Sequence, residues 1–388
     1  MLSLNFQNHF SALEDPRVTN HNTRHLFVDI LVLAFVSILC GCDDWVETVS
    51  FCKARKDFFK QFLELPHGIP SHDTFSRVFS MIDSQHFEEL FITWMNELFV
   101  KTKGEIVALD GKTLRGSRNN KQLKGIHLVH AWACQNSLTL GVMRVDDKTN
   151  EITVIPKLLK LLDIAHCTVT LDAMGCQRAI AEIIIQRKAD YVLHVKENQH
   201  KLKTEIESAF KFLAIKPELS HWDSGLEQEK HHGRLETRQY ISIPVKEHTN
   251  IHSDWVGIQS ATKVIRTRTI QDQTSLETCY FISSHPYHAS TIKKAIRSHW
   301  RVENNLHWQL DISFNEDRSR SRVKNEANNL ALFRRITMAY LKKDLLSKVG
   351  IKCKRKKASW DEQYLSDILI GKYNQNPCEI SLTTTLES

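Results

Sequence analysis

Apolar residues recur at helical spacing through residues 26–40, 45–63, 73–82 and 86–100, a periodicity that predicts successive amphipathic or buried helices. Breaks fall at Gly41, at Pro66-His67-Gly68-Ile69-Pro70 and at Asp83-Ser84, and Ser71 or Asp73 is placed to cap the third helix. The run Leu26 to Cys42 is apolar enough to imitate a membrane span, but Asp29 interrupts it and it falls short of the roughly 20 residues a span needs. A buried core helix is expected there, and no membrane association. The helix pair around Pro70 leaves two readings open, a helix-turn-helix that touches DNA or a plain bundle packed on the next domain.

The pattern changes at Gly104. Glu105–Asp110, Gly125–Cys134 and Leu138–Val145 read as strands, with Gln135-Asn136-Ser137 as the turn between the last two. A helix at Glu151–Leu162, a strand at Cys167–Asp172, a helix at Arg178–Lys188 and a strand at Asp190–Val195 follow. The order β-β-β-α-β-α-β predicts an α/β fold, a mixed sheet with helices on its faces. Residues 200–288 interrupt the plan: after a helix near 200–213, the alternating stretches Arg234–Val245, Asp254–Arg268 and Leu276–Ser284 read as a small antiparallel β insertion. Helical pattern returns at Ser290 and continues, with breaks, to about Leu346. The expected organisation is an all-helical N-terminal domain at 1–103, an α/β domain at 104–345 with a β-rich insertion at 200–288, and a basic then polar tail at 346–388 whose end, Ser381 to Ser388, is poorly ordered.

Net charge is +7, so its distribution matters more than its total. Arg318, Arg320, Arg322, Lys324, Arg334, Arg335, Lys352 and Lys354-Arg355-Lys356-Lys357 fall late in the chain, and such clustering points to a polyanion. A solvated helix face and a loose tail would explain it as well. The 9 cysteines are odd in number and scattered. With no signal-peptide pattern at the N-terminus, free thiols in a reducing cytosol are expected. Cys40, Cys42, Cys52 and His72 fit no common zinc spacing, so buried structural thiols are expected there.

Three acids stand out against this background. Asp110 closes the apolar run Ile106-Val107-Ala108-Leu109, Asp172 closes Val169-Thr170-Leu171, and Glu303 lies on the stripe Ile292, Ile296, Leu306, Leu310. Unpaired buried carboxylates are costly, and converging ones tend to take up protons. A divalent cation resolves both difficulties, and Mg²⁺ is usually held by a few carboxylates with positions left open for water and phosphate oxygens. If the strands carrying Asp110 and Asp172 are neighbours, both acids stand at carboxyl ends, where α/β folds tend to place active sites. Asp110-Gly111-Lys112-Thr113 imitates the end of a phosphate-binding P-loop, but the required earlier glycine is Ile106. An aspartyl nucleophile at Asp110 would leave Glu303 without a role. Two strand-end acids and a helical acid suit two-metal phosphoryl transfer, in which water or a 3′-hydroxyl attacks a phosphodiester.

The segment Arg297-Ser-His299-Trp300-Arg301-Val-Glu303-Asn304-Asn-Leu-His307-Trp308-Gln-Leu-Asp311, continuing through Glu316-Asp317-Arg318-Ser-Arg320-Ser-Arg322, resembles the catalytic helix of DDE transposases of the ISAs1 insertion-sequence family. That family includes the H-repeat-associated proteins and stands near the IS4 group. The resemblance covers nearly the whole chain. It includes Asp15-Pro16-Arg17, His25 and Asp29 at the start, Leu109-Asp110-Gly111-Lys112, Leu171-Asp172-Ala173, Val195-Lys196-Glu197-Asn198-Gln199 and His232-Gly233-Arg234-Leu-Glu236-Thr-Arg238. It implies an RNase H-like core with a β insertion between the second Asp and the Glu. It also implies that Asp110, Asp172 and Glu303 hold two Mg²⁺ (or Mn²⁺) ions. One departure is visible: where IS4-type enzymes carry a Tyr and an Arg before the Glu and a Lys after it, this chain has Ile296, His299 and Leu310. The Arg role then falls to Arg297 or Arg301.

The expected activity is that of a DNA transposase, cutting at the terminal inverted repeats of a mobile element and joining the freed 3′-hydroxyl to target DNA. A homodimer in the synaptic complex and a cytoplasmic, nucleoid-associated setting are implied by the resemblance. The alternatives are a catalytically silent DNA-binding descendant and a stand-alone metal-dependent nuclease. Lys112, Arg234, Arg238, Arg297, Arg301, Arg318, Arg320 and Arg322 are the candidate DNA contacts, with cross-strand ion pairs as the competing role for Arg234 and Arg238. Trp300 and Trp308 are weighed as base-stacking platforms against core packing, the more frequent role. His299 and His307 are weighed as phosphate contacts against capping or packing.

Overall fold

The computed structural model describes residues 9–18, 23–118, 125–146, 148–231, 233–248, 254–271 and 273–374. Helices α1 (Phe27–Leu39), α2 (Trp45–Ala54), α3 (His72–Met81) and α4 (Ser84–Leu98) precede the first strand. Their starts have local causes: the side chains of Asp44, Ser71 and Asp83 accept hydrogen bonds from the backbone N–H of Glu47, Thr74 and His86. Ser71, rather than Asp73, is thus the cap of α3. Every residue from Ile30 to Val36 is fully buried, as an all-round apolar helix requires, and the Asp29 carboxylate accepts from Leu65 N–H at 3.0 Å. Among the described residues no helix is long and apolar enough to cross a membrane.

Strands β1 (Ile106–Thr113), β2 (His127–Ala133), β3 (Leu138–Val145), β4 (Thr168–Leu171) and β5 (Asp190–Val195) alternate with helices α5 (Glu151–Leu161) and α6 (Arg178–Gln186) as the patterning predicts. After α7 (His200–Ile215) come β6 (Asp223–His231), β7 (Arg234–Pro244), β8 (Ser260–Ile270) and β9 (Gln273–Ser283). One nine-stranded mixed sheet results, in the order β3-β2-β1-β4-β5-β9-β8-β7-β6. β1 and β4 are parallel, with Leu109 opposite Leu171, so Asp110 and Asp172 follow at the same level. β1 continues to Thr113 beyond the end of β4, paired there only with β2.

Two expectations are corrected. The insertion has a fourth strand, β6, besides the three expected, and β9 pairs with β5 so that the insertion extends the main sheet. β6 carries no apolar alternation: its half-buried positions are Asp223, Gly225, Glu227 and Glu229. They face α8 (Ala289–Val302), where Arg297 pairs with Glu229 at 2.6 Å and Glu227 at 3.3 Å. The second correction concerns the expected tail. After α9 (Trp308–Phe314) and α10 (Glu326–Lys343), residues 351–369 form α11 (Ile351–Trp360) and α12 (Glu362–Leu369). Lys354 and Arg355 are buried. Arg355 donates to the carbonyls of Ile38 (2.7 Å) and Cys42 (3.2 Å) at the end of α1 and pairs with Asp43 at 3.1 Å. A charge so engaged is not a solvated phosphate contact. Residues 375–388, including Ser381 to Ser388, lie outside the described residues.

The N-terminal helices share their core with the sheet. Phe333 on α10 stacks against Phe10 (5.1 Å) and packs on Phe79 (4.8 Å) and Phe87 (5.5 Å), and α4 lies on β3. The pair around Pro70 therefore packs as a bundle on α10. Glu88 on α4 is 4% exposed and accepts from Asn328 Nδ2 (2.7 Å) and Arg144 N–H (3.2 Å). Burial pushes its pKa from 4.5 up to about 7. Because the folded value is the higher one, this stability is full below the unfolded pKa and is lost as pH rises through the folded one. Glu88→Gln should therefore stabilise the protein at pH 8 by about 1–3 kcal/mol and do little at pH 5, read from urea melts. Equal effects at both pH values would count against this titration. Arg355→Ala, which strands Asp43 and the α1 carbonyls, should cost about 3–5 kcal/mol in the same assay.

Candidate active site

The run from Ile106 to Leu109 is buried, and it delivers Asp110 to the point where β4 has ended. Asp110 Oδ1 accepts from Gly111 N–H at 2.9 Å, and Asp172 Oδ1 accepts from Gly175 N–H at 3.2 Å. Each carboxylate thus keeps its second oxygen for the cleft. Glu303 departs from expectation. The helix widens into a π turn over Glu303–His307 between α8 and α9, and Val302 rather than Glu303 joins the buried stripe. The Glu303 side chain is 72% exposed. Such π segments occur frequently at functional sites. His307 turns its Nδ1 toward Glu303 Oε2 at 3.2 Å and Asp110 Oδ2 at 3.6 Å. Asp110, Glu303 and His307 each offer a ligand atom within 4.8 Å of the others. Asp172 lines the same cavity of about 290 Å³ as Asp110 and Glu303, together with Thr170, His194, Lys196, His299 and Trp300.

The Asp110 pKa is pushed from 3.8 up to about 7, by burial first and then by the charges of Glu151, Asp172 and Glu303, against the pull of Gly111 N–H. Glu151 was not among the expected site residues. It opens α5 and bonds His127 Nε2 at 2.5 Å, a proximity set by the β1–β2 pairing rather than by any motif. A Cβ at Gly111 would stand 2.1 Å from its Oε1, which gives that glycine a steric reason. Burial, with Lys112 nearby, pulls His307 down to about 4. Burial also lowers His194, to about 4, and His299, whose Nδ1 lies 3.0 Å from Thr170 Oγ1. The imidazoles are therefore neutral near pH 7 and retain a lone pair each.

The expected DNA contacts divide. Lys112 is 8% exposed and clamped by Asp311 at 2.7 Å and Asp317 at 3.6 Å. Arg238 pairs with Glu229 at 2.8 Å and also with Glu236, and Arg297 is held as described above. These three pair with carboxylates of their own fold. Arg234 is 35% exposed and pairs with Glu236 at 3.4 Å. Arg301, Arg318, Arg320 and Arg322 are exposed. His232 lies outside the described residues. Trp300 (47%) and Trp308 (52%) are half exposed, so neither is a core residue, and Arg266 covers the Trp300 ring at 5.0 Å. Asp110 to Thr113 is strand, not the loop before a helix that a P-loop needs.

Residues 101–341 match the family described as Transposase DDE domain, and residues 7–95 match the one described as DDE_Tnp_1-associated. The chain belongs to the DDE-domain transposase family. The Escherichia coli O157:H7 protein named "Putative transposase YncI" is 38% identical over 93% of both chains. The Escherichia coli K12 protein named "H repeat-associated putative transposase YhhI" is 36% identical over 94% of this chain and 97% of its own. A cryo-EM structure of piggyBac transposase in a synaptic complex with hairpin DNA superimposes with a TM-score of 0.44 and 12% identity, over 100% of this chain and 78% of that one.

The acid cluster of this family member carries a cost that can be measured. With the folded pKa of Asp110 raised to about 7, ionising it above that value opposes folding. In a chelator, Asp110→Asn should raise stability at pH 8 by about 1–3 kcal/mol, and the gain should vanish at pH 4, where both side chains are neutral. A thermal melt at the two pH values checks it, and a loss of stability at pH 8 would mean that the carboxylate is structural.

Proposed function

We propose that the chain is the transposase of an ISAs1-type insertion sequence, built on an RNase H-like core. It cuts phosphodiesters at the ends of its element and transfers the freed 3′-hydroxyl to target DNA. What supports this most is the meeting of Asp110 and Asp172, from adjacent parallel strands, with Glu303 from the π turn at one cavity. The donor set fits a divalent cation: it is rich in carboxylate, the type that suits Mg²⁺ and Mn²⁺, and burial first, with the charges of Glu151, Asp172 and Glu303 after it, pushes the Asp110 pKa up to about 7. Asp110, Asp172 and Glu303 would hold two such ions, with His307 as an added donor. When bound, the ions would activate the attacking water or 3′-hydroxyl and stabilise the leaving oxygen.

The chain's own residues do the positioning. Gly111 N–H and Gly175 N–H fix one oxygen of each aspartate, and His307 steadies the exposed Glu303. Lys196 lines the cavity beside Asp172 and Glu303, where a phosphodiester backbone would meet it. The acids repel phosphate, so DNA binding and catalysis oppose each other until they are neutralised. Two chains would pair the two ends of the element in a synaptic dimer.

The test uses a fragment carrying the inverted repeats that flank the gene, with Mg²⁺ or Mn²⁺. Glu303→Gln should lose cleavage and joining by at least about a thousandfold while end binding and melting temperature stay near wild type. Normal cleavage by a folded Glu303→Gln protein would remove it from the metal site. Joining of a pre-cut end separates a transposase from a nuclease, and binding without either step marks a silent descendant.

A further inference from the structure

A second cavity, of about 600 Å³, lies between the helical half, at Asp43, Asp44 and Trp45, and the segment that follows the candidate active site. Arg318, Arg320, Arg322 and Arg334 line that second wall. Arg334 is the unusual one. It is 3% exposed, yet no hydrogen bond or ion pair joins its guanidinium to a described residue. The charges around it act only through space.

The acids near it have other partners. Glu316 takes both terminal nitrogens of Arg335 at 2.6 and 3.1 Å. Asp43 pairs with Arg355 at 3.1 Å and bonds Asn315. Glu326 accepts from Trp45 Nε1 at 2.6 Å, Asp44 caps α2, and Glu47 accepts from Asp43 N–H at 2.7 Å. Every carboxylate lining the cavity thus has a donor, whereas the Arg334 guanidinium has no acceptor among the described residues. A buried charge without a partner is costly, and an anion entering the cavity removes that cost.

The cavity is also joined to the active site. Lys112, two residues beyond Asp110, is held by Asp311 and Asp317, and Arg115 pairs with Asp317 at 3.3 Å. Arg322 Nε donates to Gly116 O at 3.1 Å. The exposed Arg318 and Arg320 stand on this bridge between β1 and the cavity. A DNA strand leaving the active site along it would meet the rim arginines first and Arg334 behind them.

We propose that this cavity seats a backbone phosphate of the bound DNA strand, with Arg334 donating from inside and Arg318 and Arg320 from the rim. The proposal rests on the transposase reading above. A phosphate held there would bridge the helical half and the catalytic half, so that DNA itself would fasten one to the other.

The experiment compares full-length wild type, Arg334→Met and Arg334→Lys. Melting is recorded in sodium phosphate and in sodium chloride at equal ionic strength, and binding of a labelled DNA duplex is measured across a salt series. In chloride, Arg334→Met should melt no lower than wild type, because it removes an unpaired buried cation. Phosphate should raise the melting temperature of wild type but not of Arg334→Met. DNA affinity of Arg334→Met should fall about tenfold and the salt slope by about one, with Arg334→Lys between the two. Wild-type affinity and slope in a folded Arg334→Met protein would overturn the proposal, and a phosphate effect surviving alongside them would mark a free-anion site, which also overturns it. If Arg334→Met melts far below wild type, the exposed pair Arg318→Ala/Arg320→Ala decides: unchanged DNA affinity and slope would overturn it. Failure of wild type to bind DNA would instead strike the transposase reading itself.

Discussion

The ion pair between Arg335 and Glu316 is the contact on which the rest of the site depends. Both side chains are almost wholly buried, at 0% and 1% exposure. Such a pair gains little net stability over apolar residues, but removing one partner is severely destabilising, so its value here is positional. Arg335 Nε also donates to His130 Nε2 at 3.0 Å, and His130 is the cross-strand partner of Asp110. The His307 ring packs against His130 at 5.3 Å. One guanidinium therefore ties α10 to the floor of the site and to the loop that carries Asp317 and the exposed arginines.

Above that floor the arrangement is unfavourable by construction. Asp110 is buried among other acids, and the cations close to it are already engaged, Lys112 with Asp311 and Asp317, Arg335 with Glu316. Unrelieved repulsion of this kind is common where a site awaits a counter-charge. The π turn belongs to the same logic. It begins at Glu303, whose side chain is exposed, and ends at His307, whose buried ring approaches that carboxylate at 3.2 Å.

The helical half is not an appendage. Phe333 of α10 gathers aromatic rings from the first helices, and Arg355 of α11 bonds the end of α1. The helices near the N-terminus and near residue 369 are therefore parts of one body with the sheet, and a change in either reaches the loop after Glu303. Asp15, Arg17 and His25 illustrate a purely local role: Arg17 grips Asp15 at 2.7 Å and donates to His25 O at 2.9 Å, folding the lead-in to α1.

Local chemistry made much of this legible in the sequence. Short apolar runs marked β1 to β5, which are buried along most of their length, and helical spacing marked the main helices. Strand-end acids after apolar runs marked Asp110 and Asp172, because such positions are hard to explain by packing alone. Other features had no local signature. β6 is stabilised by ion pairs to α8 and β7, so it lacks the apolar alternation that betrays a strand. Lys112, Arg238 and Arg297 look in sequence like any other cations, and only the acids that other elements bring beside them decide that they are engaged within the fold. Glu151 joins the site because β1 and β2 bring His127 beside Gly111. Lys354 and Arg355 read as a solvated tail until their helix buries them, Lys354 against the carbonyls of Leu341 and Asp344 and Arg355 against a carbonyl more than 300 positions earlier, at Ile38. Sequence determines where a chain can hide apolar surface and which acids resist hiding. Which charge meets which is settled only when distant segments close on one another, because pairing depends on distance in space and not along the chain.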